Sequence, residues 1–163
     1  MSGDLRVFTI YRALPVATYA ERMPAPVVAV FNTSEDTTEM LRHALEHAGF
    51  LVVTAMTNRL RDSEVDFEAF MRQHRPAVIV YDIALPYKPN WQLFEHFRES
   101  PACRGVQFVI TSTNAERARE AAAESRLSSA RENIHEIVGK PYDLLALVEL
   151  VRDAAAKSSH FAD

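Results

Sequence analysis

Apolar residues fall in five short runs, and between the runs they recur every three or four positions. The runs are Val27-Val28-Ala29-Val30-Phe31, Phe50-Leu51-Val52-Val53-Thr54-Ala55, Val78-Ile79-Val80-Tyr81-Asp82-Ile83, Val106-Gln107-Phe108-Val109-Ile110 and Ile134 to Val138. A run with little polar alternation suits a strand buried on both faces of a parallel sheet. The intervening stretches carry the helical period. Polar Asn32 to Asp36 offers N-caps for a helix with Met40, Leu41, Ala44, Leu45 and Ala48 on one face, stopped by Gly49. A polar stretch, Thr57 to Glu64, leads into a second helix with Val65, Phe67, Ala69, Phe70 and Met71, ended by Pro76. Trp91, Leu93, Phe94 and Phe97 outline a third, and an Ala- and charge-rich segment from Ala115 to about Leu127 a fourth. The last helix runs from about Asp143 to Ala156, with Leu144, Leu145, Leu147, Val148 and Val151 facing inward.

Strand and helix therefore alternate five times. Such alternation demands right-handed crossovers and a parallel sheet with helices on both faces. The expected fold is α/β: a five-stranded, doubly wound, flavodoxin-like sheet in the order 2-1-3-4-5. Its switch point lies between strands 1 and 3, so Asn32 and Thr33 should sit near Asp82, with Thr111 and Lys140 arriving from strands 4 and 5. Alone, Asp82 can equally be a turn or helix cap.

Composition narrows the function classes. The 163 residues suit one domain, taken as 26–157, with an N-terminal extension or arm (1–25) and a tail (158–163). Val7-Phe8-Thr9-Ile10-Tyr11 in the arm reads as a short strand that packs on the domain or on a partner subunit, and equally as part of a partly ordered tail. A net charge of −4 gives no basic footprint for nucleic acid. No apolar run approaches the ~20 residues that span a bilayer, and no signal segment is visible. The single cysteine, Cys103, excludes an intramolecular disulfide and fits a reducing cytoplasm. Four glycines form no phosphate-cradling loop. His43 and His47, spaced i, i+4, have no evident third ligand and read as solvated helix-face residues.

With Val78-Ile79-Val80-Tyr81-Asp82-Ile83-Ala84-Leu85-Pro86, Thr111 closing strand 4 and Lys140-Pro141-Tyr142 opening the last helix, residues 26–157 resemble the response-regulator receiver domains of two-component signalling. The resemblance implies that Asp82 is the phospho-acceptor, that Thr111 and Lys140 bind the phosphoryl group, and that the Lys140–Pro141 peptide is cis. It also implies a histidine kinase or phosphotransfer protein as donor, a downstream protein target, and no enzymatic role beyond self-phosphorylation.

The departures bear on the chemistry. Where the family carries two acidic residues that hold Mg²⁺, this chain has Asn32 and Thr33. The switch position three residues before the lysine, usually aromatic, is Ile137, and Pro89-Asn90-Trp91 replaces an Asp/Asn-Gly pair. Thr57–Glu64 and Ser125–Asn133 are longer than usual. Mg²⁺ is normally held by one or two carboxylates in tight octahedral geometry. The metal set Asn32, Thr33 and Asp82 is accordingly weak or empty. Glu35 and Asp36, the nearest acidic stand-ins, belong in the first helical turn, where acids are favoured anyway. Without metal, Lys140 is expected to pair with Asp82.

The expectation is a stand-alone receiver-like module acting by protein contact through its fourth helix, fifth strand and fifth helix, with homodimerisation a possible mode. The alternative is a flavodoxin-like small-ligand or nucleotide binder using the same strand ends, with Asn32-Thr33-Ser34 as its only candidate phosphate loop.

Overall fold

The computed structural model describes residues 24–124 and 133–158. The elements are β1 (Val27–Asn32), α1 (Glu35–His47), β2 (Leu51–Met56), α2 (Thr57–Arg61), α3 (Phe67–His74), β3 (Val78–Ile83), α4 (Tyr87–Arg98), a 3-10 turn (Pro101–Cys103), β4 (Gln107–Ser112), α5 (Ala115–Glu124), β5 (Ile134–Gly139) and α6 (Leu144–Lys157). All strand pairs are parallel, in the order β2-β1-β3-β4-β5. The arm, most of the tail and most of the loop before β5 lie outside the described residues.

Successive side chains of a strand face opposite sides of the sheet, and the two cores follow that period. Val28 and Val30 of β1, Val78 and Val80 of β3 and Val109 of β4 pack with Leu41, Leu45, Leu147, Val148 and Val151 of α1 and α6. Ala29, Phe31, Ile79, Tyr81, Phe108 and Ile110 pack instead with Leu60, Phe67, Met71, Trp91, Phe94 and Ala118 of α2 to α5. Burial of each large side chain stabilises by ~1.5–3 kcal/mol. The aromatic spacing in α4 is core: Phe94 is fully buried between Tyr81, Trp91 and Phe108.

Three readings of the sequence need correction. The polar stretch before the second helix is itself partly helical. Thr57 and Leu60 are buried there, and Asp66 starts a separate helix by accepting the Ala69 amide at 2.9 Å. Val65 precedes that helix and packs against the core from outside it. Met40 is 42% exposed and Leu145 75% exposed, so neither belongs to an inward face. Each residue turns an α-helix by ~100°. That puts Met40 to one side of the Leu41–Leu45 stripe and Leu145 to one side of the Val148–Val151 stripe.

Local caps account for the helix starts. Ser34 accepts the Thr37 amide and Asp143 the Ala146 amide, each satisfying an orphan donor of a first turn. Gly49, just past α1, sits at φ +97, a conformation costly for other residues.

Candidate functional site

The period that sorts the core also builds the site. Asn32, Asp82, Thr111 and Lys140 share the parity of Val30, Val80, Val109 and Val138, so all four belong to the α1/α6 side. The register pairs Phe31 with Tyr81 and Asp82 with Thr111, which brings the strand ends level. Asp82 is 2% exposed. Its Oδ1 accepts a hydrogen bond from Thr111 Oγ1 at 2.8 Å and lies 2.6 Å from Lys140 Nζ. Thr33 Oγ1 stands 3.5 Å from Oδ2, too far for a strong bond. A carboxylate taken out of water requires such partners, and a cap role for Asp82 is excluded by where its oxygens go.

The other sequence-derived candidates divide cleanly. Asn32 is buried; its Oδ1 accepts the Ser34 amide at 3.0 Å, and its Nδ2 has no hydrogen-bond partner among the described residues. Ile137 is buried in the α5 side of the core, away from the face that carries Asp82. Glu35 and Asp36 are exposed in the first turn of α1. Lys140–Pro141 is cis, as the resemblance implies, and Leu85–Pro86 is cis as well. His43 is exposed, with Nε2 3.7 Å from Glu39. No group of three His, Cys, Asp or Glu side chains suited to a metal occurs among the described residues.

As a donor set for Mg²⁺, this edge offers one carboxylate, already carrying an ammonium, and an Asn32 oxygen engaged by a backbone amide. Thr33 adds only a hydroxyl. Hard oxygen ligands with at least one free carboxylate are what the ion takes. The set fits it poorly. A phosphate loop at Asn32-Thr33-Ser34 fits no better, because Asn32 and Ser34 are both spent on local caps.

Three residues at the site lie outside the sequence-derived set. Ser112 Oγ donates to Ile83 O at 3.3 Å and accepts the Asn114 amide at 3.1 Å, tying the end of β3 to the start of α5. Asn90, where the glycine is missing, donates from Nδ2 to Ala84 O and Pro86 O and so pins the loop after Asp82. Tyr142 has its phenol pushed up, first by burial and then by the Asp82 charge. Tyr142 had a signal in sequence in its place after Lys140-Pro141, and Asn90 in its place within Pro89-Asn90-Trp91.

No family model matches the chain. An uncharacterised 14.6 kDa protein of Leptolyngbya boryana, encoded in a sodA1 3′ region, is 26% identical over 125 residues, 77% of this chain and 86% of its own. Among solved structures, a sensor protein from Polaromonas sp. JS666 is 21% identical and superposes with a TM-score of 0.61 over 82% of this chain and 98% of its own. The Vibrio cholerae chemotaxis protein CheY4 is 19% identical, with a TM-score of 0.60 over 80% and 98%. A response regulator from Thermotoga maritima is 20% identical, with a TM-score of 0.59 over 81% and 98%. The chain has the fold of the response-regulator receiver domains.

Proposed function

We propose that this protein is a receiver-like module of a two-component or phosphorelay system, working by protein–protein contact, with Asp82 at the phospho-acceptor position and Mg²⁺-dependent phosphorylation weak or lost. The observation that carries the reading is the convergence of Asp82, Thr111 and Lys140 within hydrogen-bond distance at the C-terminal edge of the sheet. Phosphoryl transfer is mostly positioning and charge neutralisation. A bond would form from an Asp82 oxygen to phosphorus as the donor's leaving group departs. The Thr111 hydroxyl and Lys140 ammonium would take up the phosphoryl oxygens. Acidic neighbours that would hold a metal are replaced by Asn32 and Thr33, and Lys140 already neutralises Asp82.

The partners of this reading are a histidine kinase or phosphotransfer protein and a downstream target. The face of α5, β5 and α6 is the expected contact, and a cleft of about 330 Å³ lined by Arg119, Ala122, Ile134, His135 and Ile137 opens there. No helix among the described residues is long and apolar enough to cross a membrane, which agrees with a cytoplasmic site of action.

The test is incubation with acetyl phosphate, with and without Mg²⁺, followed by intact-mass measurement. A substoichiometric phosphoryl adduct that disappears in Asp82→Ala is expected. A full-stoichiometry, Mg²⁺-dependent adduct would overturn the weak-metal part of the reading. An adduct that persists in Asp82→Ala would overturn the assignment of the acceptor.

A further inference from the structure

The two edges of the sheet are treated differently. At β5, Lys140 donates its amide to Ser112 O across the β4 boundary, so by alternation Ile137 directs its backbone groups outward. Both are taken: the Ile137 amide donates to Glu136 Oε1 at 2.9 Å, and Ile137 O accepts from Arg119 Nη2 at 2.7 Å. A charged pair of side chains closes that edge, the usual defence against strand addition.

At β2 nothing comparable exists among the described residues. Leu51 donates its amide to Pro26 O at 3.0 Å, towards β1, so Val52 and Thr54 direct theirs outward. Neither has a hydrogen-bond partner on that side among the described residues. The strand is apolar and poorly covered: Leu51 is 56% exposed, and Val52, Val53 and Thr54 are only half-buried.

We propose that the outer edge of β2 is a strand-docking site for this chain's own N-terminal segment, Val7-Phe8-Thr9-Ile10-Tyr11. The segment consists of strong strand formers. The described chain begins at Pro24, and Pro26 is bonded to the first residue of β2 from its β1 side, so the segment enters the domain one strand away from the open edge. Residues 12–23 reach ~40 Å when extended, against the ~10 Å that separate β1 from a strand beyond β2. A cleft of about 270 Å³ at the same corner, lined by Pro26, Ala48, Phe50, Ala155 and the charged Arg152, can receive a side chain of the linker. An antiparallel pairing gives the shortest return to Pro26, because the strand then runs towards the start of β2. An antiparallel edge strand on an otherwise parallel sheet is a common arrangement. This inference is independent of the chemistry proposed for Asp82.

Amide hydrogen exchange on the full chain tests it, with Phe8→Pro and Thr9→Pro as variants. Consecutive residues alternate across a strand, so one of the two prolines must remove a ladder donor. The Val52 and Thr54 amides should exchange about a hundredfold more slowly in the parent than in that variant, while Val80 in β3 stays equally protected and reports an intact fold. Equal rates at Val52 and Thr54 in the parent and both variants would overturn the proposal. Protection that rises with protein concentration together with a dimeric mass would also overturn it, and would assign the edge to a second copy.

Discussion

Lys140 Nζ lies 2.6 Å from Asp82 Oδ1, an ion pair whose carboxylate is 2% exposed and whose lysine is 28% exposed. Removing the cation leaves a buried carboxylate with the Thr111 hydroxyl as its one close donor among the described residues. Breaking a fully buried pair costs 3–5 kcal/mol, and the part-exposed lysine discounts that figure. Lys140→Met should therefore lower stability by about 2 kcal/mol. Asp82→Asn should cost less, because Lys140 can turn to water. The double variant should recover part of the Lys140→Met loss. Urea midpoints at neutral pH measure all three. If Lys140→Met proves no worse than Asp82→Asn, the ion pair is not what stabilises this end of the sheet.

Cys103 gives a pH prediction with a definite sign. Its Sγ donates to Phe97 O at 3.3 Å in a site 1% exposed, and burial, with Glu68 second, pushes the thiol up from 9.0 to about 12. Between those two values the unfolded chain loses the proton and the folded chain keeps it. The unfolded state then binds fewer protons, so stability falls as pH rises through that window. Tyr81, Tyr87 and Tyr142, also pushed up by burial, add the same sign from about pH 9 upwards, so the comparison with Cys103→Ala is what isolates the thiol. Thermal midpoints at pH 8, 9 and 10 should decline more in the parent than in Cys103→Ala. The thiolate fraction at pH 8 should be about a thousandfold below that of a free thiol. Disulfide reagents should accordingly react only as fast as the core opens.

Much of the fold was legible because its determinants are local or strictly periodic. The runs around Val28, Val80 and Val109 are too apolar for anything but buried strands, those around Val53 and Ile137 form the less covered edges, and alternation with helices leaves little choice of topology. Parity then fixes the site: Asp82, Thr111 and Lys140 fall on one face for the same reason that Val80 and Val109 do. What failed was decided by tertiary packing. Thr57 and Leu60 make α2 helical by being buried, although the stretch around them is polar. Met40 and Leu145 sit one position off a stripe, a distinction composition cannot draw. The roles of Ser112 and Asn90 are hydrogen bonds to backbone carbonyls of another segment, and no pattern along the chain encodes those partners.

Installing the missing carboxylates tests the metal-poor character of the site. Asn32 is 1% exposed and level with Asp82 at the end of β1; its Oδ1 already caps the Ser34 amide. Asn32→Asp preserves that cap while placing a second carboxylate at the strand end, and Thr33→Asp adds a third. Each new charge at ~4 Å from Asp82 is worth up to ~4 kcal/mol of repulsion at an effective dielectric near 20, part of it screened by Lys140. In EDTA the double variant should melt about 10 °C below the parent, a loss of ~3 kcal/mol in a chain of this size. Millimolar Mg²⁺ should restore most of that loss, because a ligand bound only by the folded state stabilises it, and should leave the parent unchanged. A parent whose midpoint rises with Mg²⁺ as the variant's does would overturn the weak-metal reading. A variant as stable as the parent in EDTA would mean that positions 32 and 33 do not face Asp82.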